Sequence, residues 1–208
     1  MNILIADDHV VVRKGLVQII QDEFPDANCE EAGSGKESLD KLRKASYDIA
    51  IVDINMPDVS GLDVLRQLKT EGNKTPILIL TSQPEEQYAI RVLKAGASGF
   101  IGKEVAAEEL TTAIRRILSG RKYITESISE KMATDLSSDQ TKAPHELLSD
   151  REFEVMKLLA SGKTVSEISE QLFLSVPTIS TYRNRILKKL NLRNNAELMH
   201  FAINLKLV

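Results

Sequence analysis

The sequence predicts two domains of different class. The first is an α/β flavodoxin-like (βα)5 domain with a parallel sheet in the order 2-1-3-4-5, and the second is a small all-α domain of four helices. Three observations predict this. Over residues 1–120 short apolar runs alternate five times with amphipathic stretches of helical period. Over residues 121–145 the chain turns polar, with a Ser/Asp/Gln/Thr/Lys tract from Asp135 to Lys142 that reads as a linker. Over residues 146–208 the apolar spacing is helical throughout.

The predicted strands run from Asn2 to Ala6, Asn28 to Ala32, Ile49 to Ile54, Pro76 to Thr81 and Gly99 to Gly102. Short apolar runs bounded by turn residues read as buried strands. Between them, helical faces are carried by Val12, Leu16, Ile19 and Ile20, by Leu39 and Leu42, by Leu62, Leu65 and Leu68, by Ala89, Val92 and Leu93, and by Leu110, Ile114, Ile117 and Leu118. Right-handed crossovers leave few ways to connect such units. In the linker, Ile128, Met132 and Leu136 share one helical face, which suggests a short helix over Ser127 to Leu136.

In the last domain, Ser149-x-x-Glu152 and Thr164-x-x-Glu167 are capping boxes. The first opens a helix with Phe153, Met156, Leu159 and Ala160 inward, which Gly162 stops. The second opens a short helix ending at Leu172. Ser175 caps a third helix with Ile179, Ile186, Leu187 and Leu190 inward. Asn194 or Asn195 caps a fourth, carrying Leu198, Phe201, Ala202 and Leu205. The second and third, joined through Phe173, Leu174 and Ser175, form a helix-turn-helix.

The composition narrows the function. The single cysteine, Cys29, excludes an intramolecular disulfide framework and fits a reducing compartment. No apolar run approaches the ~20 residues of a membrane span, and the N-terminus begins directly on a strand, so a cytoplasmic protein is expected. Net charge is −3. Against that acidic balance, Gln171 to Ala196 contains no acid but carries Arg183, Arg185, Lys188, Lys189 and Arg193. Such a block points to a polyanion partner.

The chemistry gathers at strand ends. Asp7 and Asp8 follow the first strand, and Asp53 ends the third. In the 2-1-3-4-5 order those strands are neighbours, so three carboxylates meet at the carboxyl edge, where ligands bind in open α/β sheets. Clustered carboxylates need a cation, and hard oxygen ligands suit Mg²⁺. The expected ligands are Asp8, Asp53 and the backbone carbonyl of Asn55, with Asp7 acting through water. Asp53 is then placed as a nucleophile toward phosphorus. Thr81 and Lys103 end the fourth and fifth strands and reach the same edge, positioned to hold a phosphoryl group. Phe100 reads equally as a buried aromatic or as a rotameric switch linked to Thr81. His9, beside the acid pair, reads as the surface start of the first helix.

On the third helix of the last domain, Thr178, Ser180, Thr181, Arg183, Asn184, Arg185, Lys188 and Lys189 point away from the apolar stripe. A helix fits the DNA major groove, basic and hydroxyl side chains bind phosphate, and Asn can read adenine. Thr164, opening the preceding helix, belongs to the same expected DNA-contacting set.

The first 120 residues resemble a two-component receiver domain, on Asp7–Asp8, Asp53-x-x-Met56-Pro57-x-x-x-Gly61, Thr81 and Lys103. Residues 147–207 resemble a LuxR-type DNA-binding domain. That likeness rests on Leu148-Ser149-x-Arg151-Glu152-x-Glu154-Val155, Gly162, Glu167-Ile168, Leu174-Ser175-x-x-Thr178-Ile179 and Lys189-Leu190. In this order they resemble the NarL/FixJ class of response regulators over nearly the whole chain. The resemblance implies phosphorylation of Asp53 by a partner histidine kinase, a homodimer when active, the fourth helix as a dimer surface, and double-stranded DNA as target. It implies a transcription factor that accepts phosphate and slowly loses it, not a turnover enzyme.

Three positions depart from the family's pattern. Glu104 follows Lys103 where the family often has a cis proline, and a cis non-prolyl bond costs ~3 kcal/mol, so a trans bond is expected. Tyr182 stands where His is common, and Asn195 where a basic residue is common. A haloacid-dehalogenase-like phosphatase would need a second acid two residues after the nucleophile, and Asn55 stands there instead. The basic helix argues against an interaction protein with no DNA role.

Overall fold

In a computed structural model the chain separates into two compact units, Met1–Ser137 and Ser138–Val208. The structure describes all residues except 57, 83–84, 126–127, 131–146 and 206, and it leaves out the side chains of residues 85–87 and 150. Most of the expected linker, and of the expected helix over Ser127 to Leu136, lies outside the described residues; residues 128–130 are helical, and Ile128 is buried.

Five strands form the first unit: β1 (Asn2–Ala6), β2 (Asn28–Ala32), β3 (Ile49–Asp53), β4 (Ile77–Thr81) and β5 (Gly99–Gly102). They are all parallel and lie in the order β2-β1-β3-β4-β5. Each expected strand is present. The third stops one residue early, at Asp53, and the fourth starts one residue late, at Ile77. β3 and β4 are buried at every residue, the condition under which a strand reads as an unbroken apolar run. β2 is one of the two edge strands and holds Cys29, Glu30 and Glu31 half-buried. Burial, then Glu31, raises the Cys29 thiol pKa, so this cysteine is a poor nucleophile.

Helices α1 (Val10–Glu23), α2 (Gly35–Lys44), α3 (Gly61–Thr70), α4 (Glu85–Lys94) and α5 (Ala106–Leu118) complete five βα units. Side chains alternate along each strand, so the sheet has two buried faces. Ile3, Ile5, Ile49, Ile51, Leu78, Leu80 and Ile101 build one core with Leu16 and Ile20 of α1 and Leu110, Ile114 and Ile117 of α5. Leu118, expected inward, is exposed because it is the last residue of α5.

The second unit contains α6 (Asp150–Ala160), α7 (Val165–Gln171), α8 (Val176–Leu190) and α9 (Asn195–Asn204). Both capping boxes form, with Ser149 and Glu152 closing on each other and Thr164 and Glu167 doing the same. Each cap satisfies orphan N–H groups and stabilises its helix by about 1 kcal/mol. Ser175 caps α8, and Asn194, not Asn195, caps α9. The core is Phe153, Met156, Leu159, Ile168, Ile179, Ile186 and Leu198, all buried. Leu205, expected inward, is exposed at the end of α9, and Leu207 is buried two residues on. Phe173 turns the chain between α7 and α8 with φ 53°, a conformation usually left to Gly or Asn.

Among the described residues no helix is long and apolar enough to cross a membrane, and no peptide bond is cis.

Candidate functional site

Strand register assembles the site. Ala6 pairs with Val52, Asp53 with Leu80, and Thr81 with Gly102. The residues at or just past those pairs are Asp7, Asp53, Thr81 and Lys103, so all four stand at the carboxyl edge. Asp7, Asp53 and Thr81 are buried. Lys103 opens a one-turn 3₁₀ helix directly after β5, and its ammonium bridges both acids. Nζ lies 2.6 Å from Asp7 Oδ2 and 2.7 Å from Asp53 Oδ2.

The electrostatics favour a further cation. Burial pushes the Asp53 pKa above the ordinary carboxylate range; Lys103 opposes this, Asp7 adds to it, and the Asn55 backbone pulls slightly the other way. Burial also works against the Lys103 charge, but its bonds to Asp53 and Asp7 win and raise its pKa. One ammonium thus serves two buried carboxylates. Asp53 Oδ1 is buried with no hydrogen-bond partner. An orphan carboxylate oxygen of this kind is costly unless something polar reaches it.

Asp8 and His9 stand on the solvent side. His9 Nδ1 lies 2.7 Å from Asp8 Oδ1 and 3.3 Å from Asp7 Oδ1, and the His9 N–H donates to Asp7 Oδ1 at 2.8 Å. Ligand atoms of Asp7, Asp8 and His9 fall within 4.8 Å of one another. The acids therefore form two groups that share Asp7: one with Asp8 and His9, the other with Lys103 and Asp53. The hard oxygen donors and the orphan Asp53 Oδ1 fit a small divalent cation. His9 sits at the exposed start of α1, as expected, without capping it.

Thr81 and Phe100 are both buried and, by strand alternation, lie on the sheet face opposite Leu80 and Ile101. That shared face is the arrangement a linked pair requires. The Lys103–Glu104 bond is trans, as expected.

Three residues support the site, of which Arg13 and Asp58 had no role in the sequence reading. Arg13 donates from Nη1 to the Asp7 carbonyl at 2.7 Å and from Nε to Glu31 at 3.0 Å, bracing the acidic turn. Asp58, at φ 70°, accepts the Gly35 N–H at 3.1 Å and holds the start of α2 against the loop after Asp53. Gly61 lies so close to the Asp53 backbone that a Cβ would overlap its carbonyl oxygen. The only sequence signals were an arginine in an apolar helix and turn-forming residues.

In the second unit, the expected DNA-contacting residues separate into engaged and free groups. Lys189 Nζ lies 2.6 Å from the buried Glu152 and 3.3 Å from the Leu147 carbonyl. This contact holds the ammonium against its own unit, although the Lys189 side chain remains exposed. Arg183 donates from Nε to Asn195 Oδ1 at 2.7 Å, tying α8 to the start of α9. Thr164 is bound into its capping box, and Thr178 shares a 2.7 Å hydrogen bond with Ser175. The Thr181 hydroxyl donates to the Pro177 carbonyl at 2.9 Å. Ser180 is half-buried. Asn184, Arg185 and Lys188 are exposed. Among the described residues Arg185 and Lys188 make no ion pair.

A doubly wound α/β unit with an acidic, lysine-bridged edge, joined to a capped helix-turn-helix with an exposed basic helix, defines a class: signalling domain plus DNA-binding domain. Residues 3–115 match the family model of the response regulator receiver domain, and residues 146–202 match that of bacterial regulatory proteins, luxR family. The chain belongs to the NarL/FixJ class of two-component response regulators, the DNA-binding transcriptional regulators of such systems. It is 35% identical over 204 residues to response regulator UvrY of Escherichia coli K12, covering 98% of this chain and 94% of UvrY. It is 34% identical over 215 residues to the oxygen regulatory protein NreC of Staphylococcus carnosus, covering 100% and 99%. The solved structure of RcsB from Salmonella enterica serovar Typhimurium, bound to promoter rprA with the phosphomimetic BeF3-, superposes with TM-score 0.64 at 26% identity, covering 97% of this chain and 98% of RcsB.

Proposed function

We propose that this regulator is switched by phosphorylation of Asp53 and then binds promoter DNA as a dimer. The observation that carries this reading is the double contact of Lys103 with Asp7 and Asp53, which leaves the buried Asp53 Oδ1 without a partner. A partner histidine kinase supplies the phosphoryl group: its N–P bond breaks as an Asp53 oxygen forms the new O–P bond. Mg²⁺, held by Asp8, Asp53 and the Asn55 carbonyl with Asp7 through water, would neutralise the gathering negative charge. Lys103 is already in place to pair with a phosphoryl oxygen, and the Thr81 hydroxyl, at the same edge, can donate to another. Movement of Thr81 draws on the space beside Phe100, a local charge event that biases the adjoining face.

The phosphoryl group is held and slowly hydrolysed, so the chain is a switch and not a turnover enzyme. Its output is the recognition helix α8, with Thr164, Ser180, Thr181, Arg183, Asn184, Arg185 and Lys188 toward DNA. Helix α9 leaves Met199 and Ile203 exposed, which supports its use as the dimer surface. The protein works in the cytoplasm.

The test uses acetyl phosphate with Mg²⁺ as donor, followed by DNA binding and size measurement of the full chain. Wild type is expected to gain one phosphoryl group, to dimerise and to bind DNA more tightly. Asp53→Ala is expected to take no label. Equal DNA affinity with and without donor overturns the gating.

A further inference from the structure

The amino-terminal half of α8 has no cation with which to grip phosphate. From Val176 to Tyr182 it carries no charge, and its first cation is Arg183. Two of its hydroxyls are engaged within the protein. Thr178 is committed to the Ser175 cap, and Thr181 back-bonds to the carbonyl four residues earlier. A threonine whose Oγ1 bonds its own helix in this way turns its methyl group outward. Thr181 and Pro177 are both exposed, one turn apart, and Val176, 44% exposed, flanks them. Continuing along that stripe come Asn184 and Lys188, also exposed. The stripe therefore grades from apolar, through amide, to cation.

In helix-turn-helix proteins the amino-terminal residues of the second helix face the base edges of the major groove. The one apolar group displayed there is the thymine 5-methyl. We infer that Thr181, flanked by Pro177 and Val176, reads thymine through its methyl group and not through its hydroxyl, and so fixes a T in each half-site. The cations further along α8 supply affinity without that choice. This inference rests on the DNA-binding reading of α8 given above.

The experiment starts from random-sequence duplex DNA, enriched on the full-length protein after acetyl phosphate treatment. The enriched duplex is resynthesised with single thymines replaced by uracil, which removes only the methyl. Wild type is expected to lose roughly fourfold in affinity at one position per half-site, the worth of one buried methyl-sized group. Thr181→Ser keeps the hydroxyl and its back-bond but drops the methyl, and is expected to bind the two duplexes alike. Thr181→Val keeps a methyl in that direction without the hydroxyl, and is expected to discriminate at least as strongly as wild type. Loss of discrimination in the Val variant with retention in the Ser variant overturns the inference, as does indifference of wild type to uracil at every position. Those results leave α8 as the DNA-binding helix; failure to enrich any duplex would instead overturn the DNA-binding reading, and this inference with it.

Discussion

Lys103 and Asp53, fifty residues apart, meet at 2.7 Å between Nζ and Oδ2, and the same ammonium also holds Asp7. The pair is an incomplete neutralisation: one positive charge stands against two buried negative ones. Burial raises the Asp53 pKa even with Lys103 beside it. A carboxyl whose folded pKa is raised favours folding below its unfolded value, near 3.8, and that contribution is lost as pH rises through the folded value. Once ionised, Asp53 therefore opposes folding.

Asp53→Asn is accordingly expected to raise the thermal midpoint of the first unit at pH 7, with the gap closing as pH falls toward about 3.8. Mg²⁺ is expected to stabilise wild type and to leave the Asn variant nearly unmoved. At a hundredfold excess over its dissociation constant, a ligand of the folded state adds about 2.7 kcal/mol. Calorimetric melts across pH and Mg²⁺ concentration measure both effects. An Asn variant less stable than wild type at pH 7 would refute the account of this charge balance.

The glycines give a steric test. At Gly61 a new Cβ would strike the Asp53 backbone carbonyl, which cannot rotate away as a side chain could. Gly61→Ala is expected to cost about 1–3 kcal/mol and to weaken acetyl phosphate labelling of Asp53. At Gly15, inside α1, a Cβ meets nothing within 4 Å. Gly15→Ala is expected to stabilise by about 0.4–1 kcal/mol, through better helix propensity and a less free unfolded chain. Urea unfolding curves of the two variants should move in opposite directions.

The extent to which this molecule could be read from its sequence follows the range of the interactions. Strands with both faces buried announce themselves as apolar runs, and all five were legible to within a residue. Capping boxes are local, and both appear as written in the sequence. The edge chemistry of Asp7, Asp53, Thr81 and Lys103 was legible because strand order alone brings strand ends together. What stayed hidden depends on contacts between distant segments. Arg13 reaching the Asp7 carbonyl and Asp58 capping α2 from 23 residues away leave no periodic trace. Lys189 looked like one more outward cation, since a helical stripe does not reveal a buried carboxylate on another helix.

That carboxylate, Glu152, is buried, yet its pKa is lowered. Burial works to raise it, but bonds from Lys189 and Ser149 outweigh burial. A depressed carboxyl supports folding above its unfolded value, near 4.5, and that support is lost as pH falls through the folded value. The second unit is therefore expected to lose stability with acid below about pH 4.5. Glu152→Gln is expected to flatten that dependence, as read by hydrogen exchange of the α6 amides.

The three cations at the end of α8 should then behave as two kinds. Lys188 and Arg185 are exposed and unpaired among the described residues, so Lys188→Ala or Arg185→Ala is expected to act on DNA affinity and on little else. Each is expected to weaken binding to all sequences alike and to reduce the slope of log K against log salt by about 1. Lys189→Ala instead strands the buried Glu152 without its cation. It is expected to destabilise the second unit by about 1–3 kcal/mol while leaving the salt slope where it was. Titrations at several salt concentrations, paired with unfolding curves for the same variants, separate the two effects. A Lys189→Ala protein that keeps its stability but loses slope would return that lysine to the DNA-facing set and break the assignment made from its contact with Glu152.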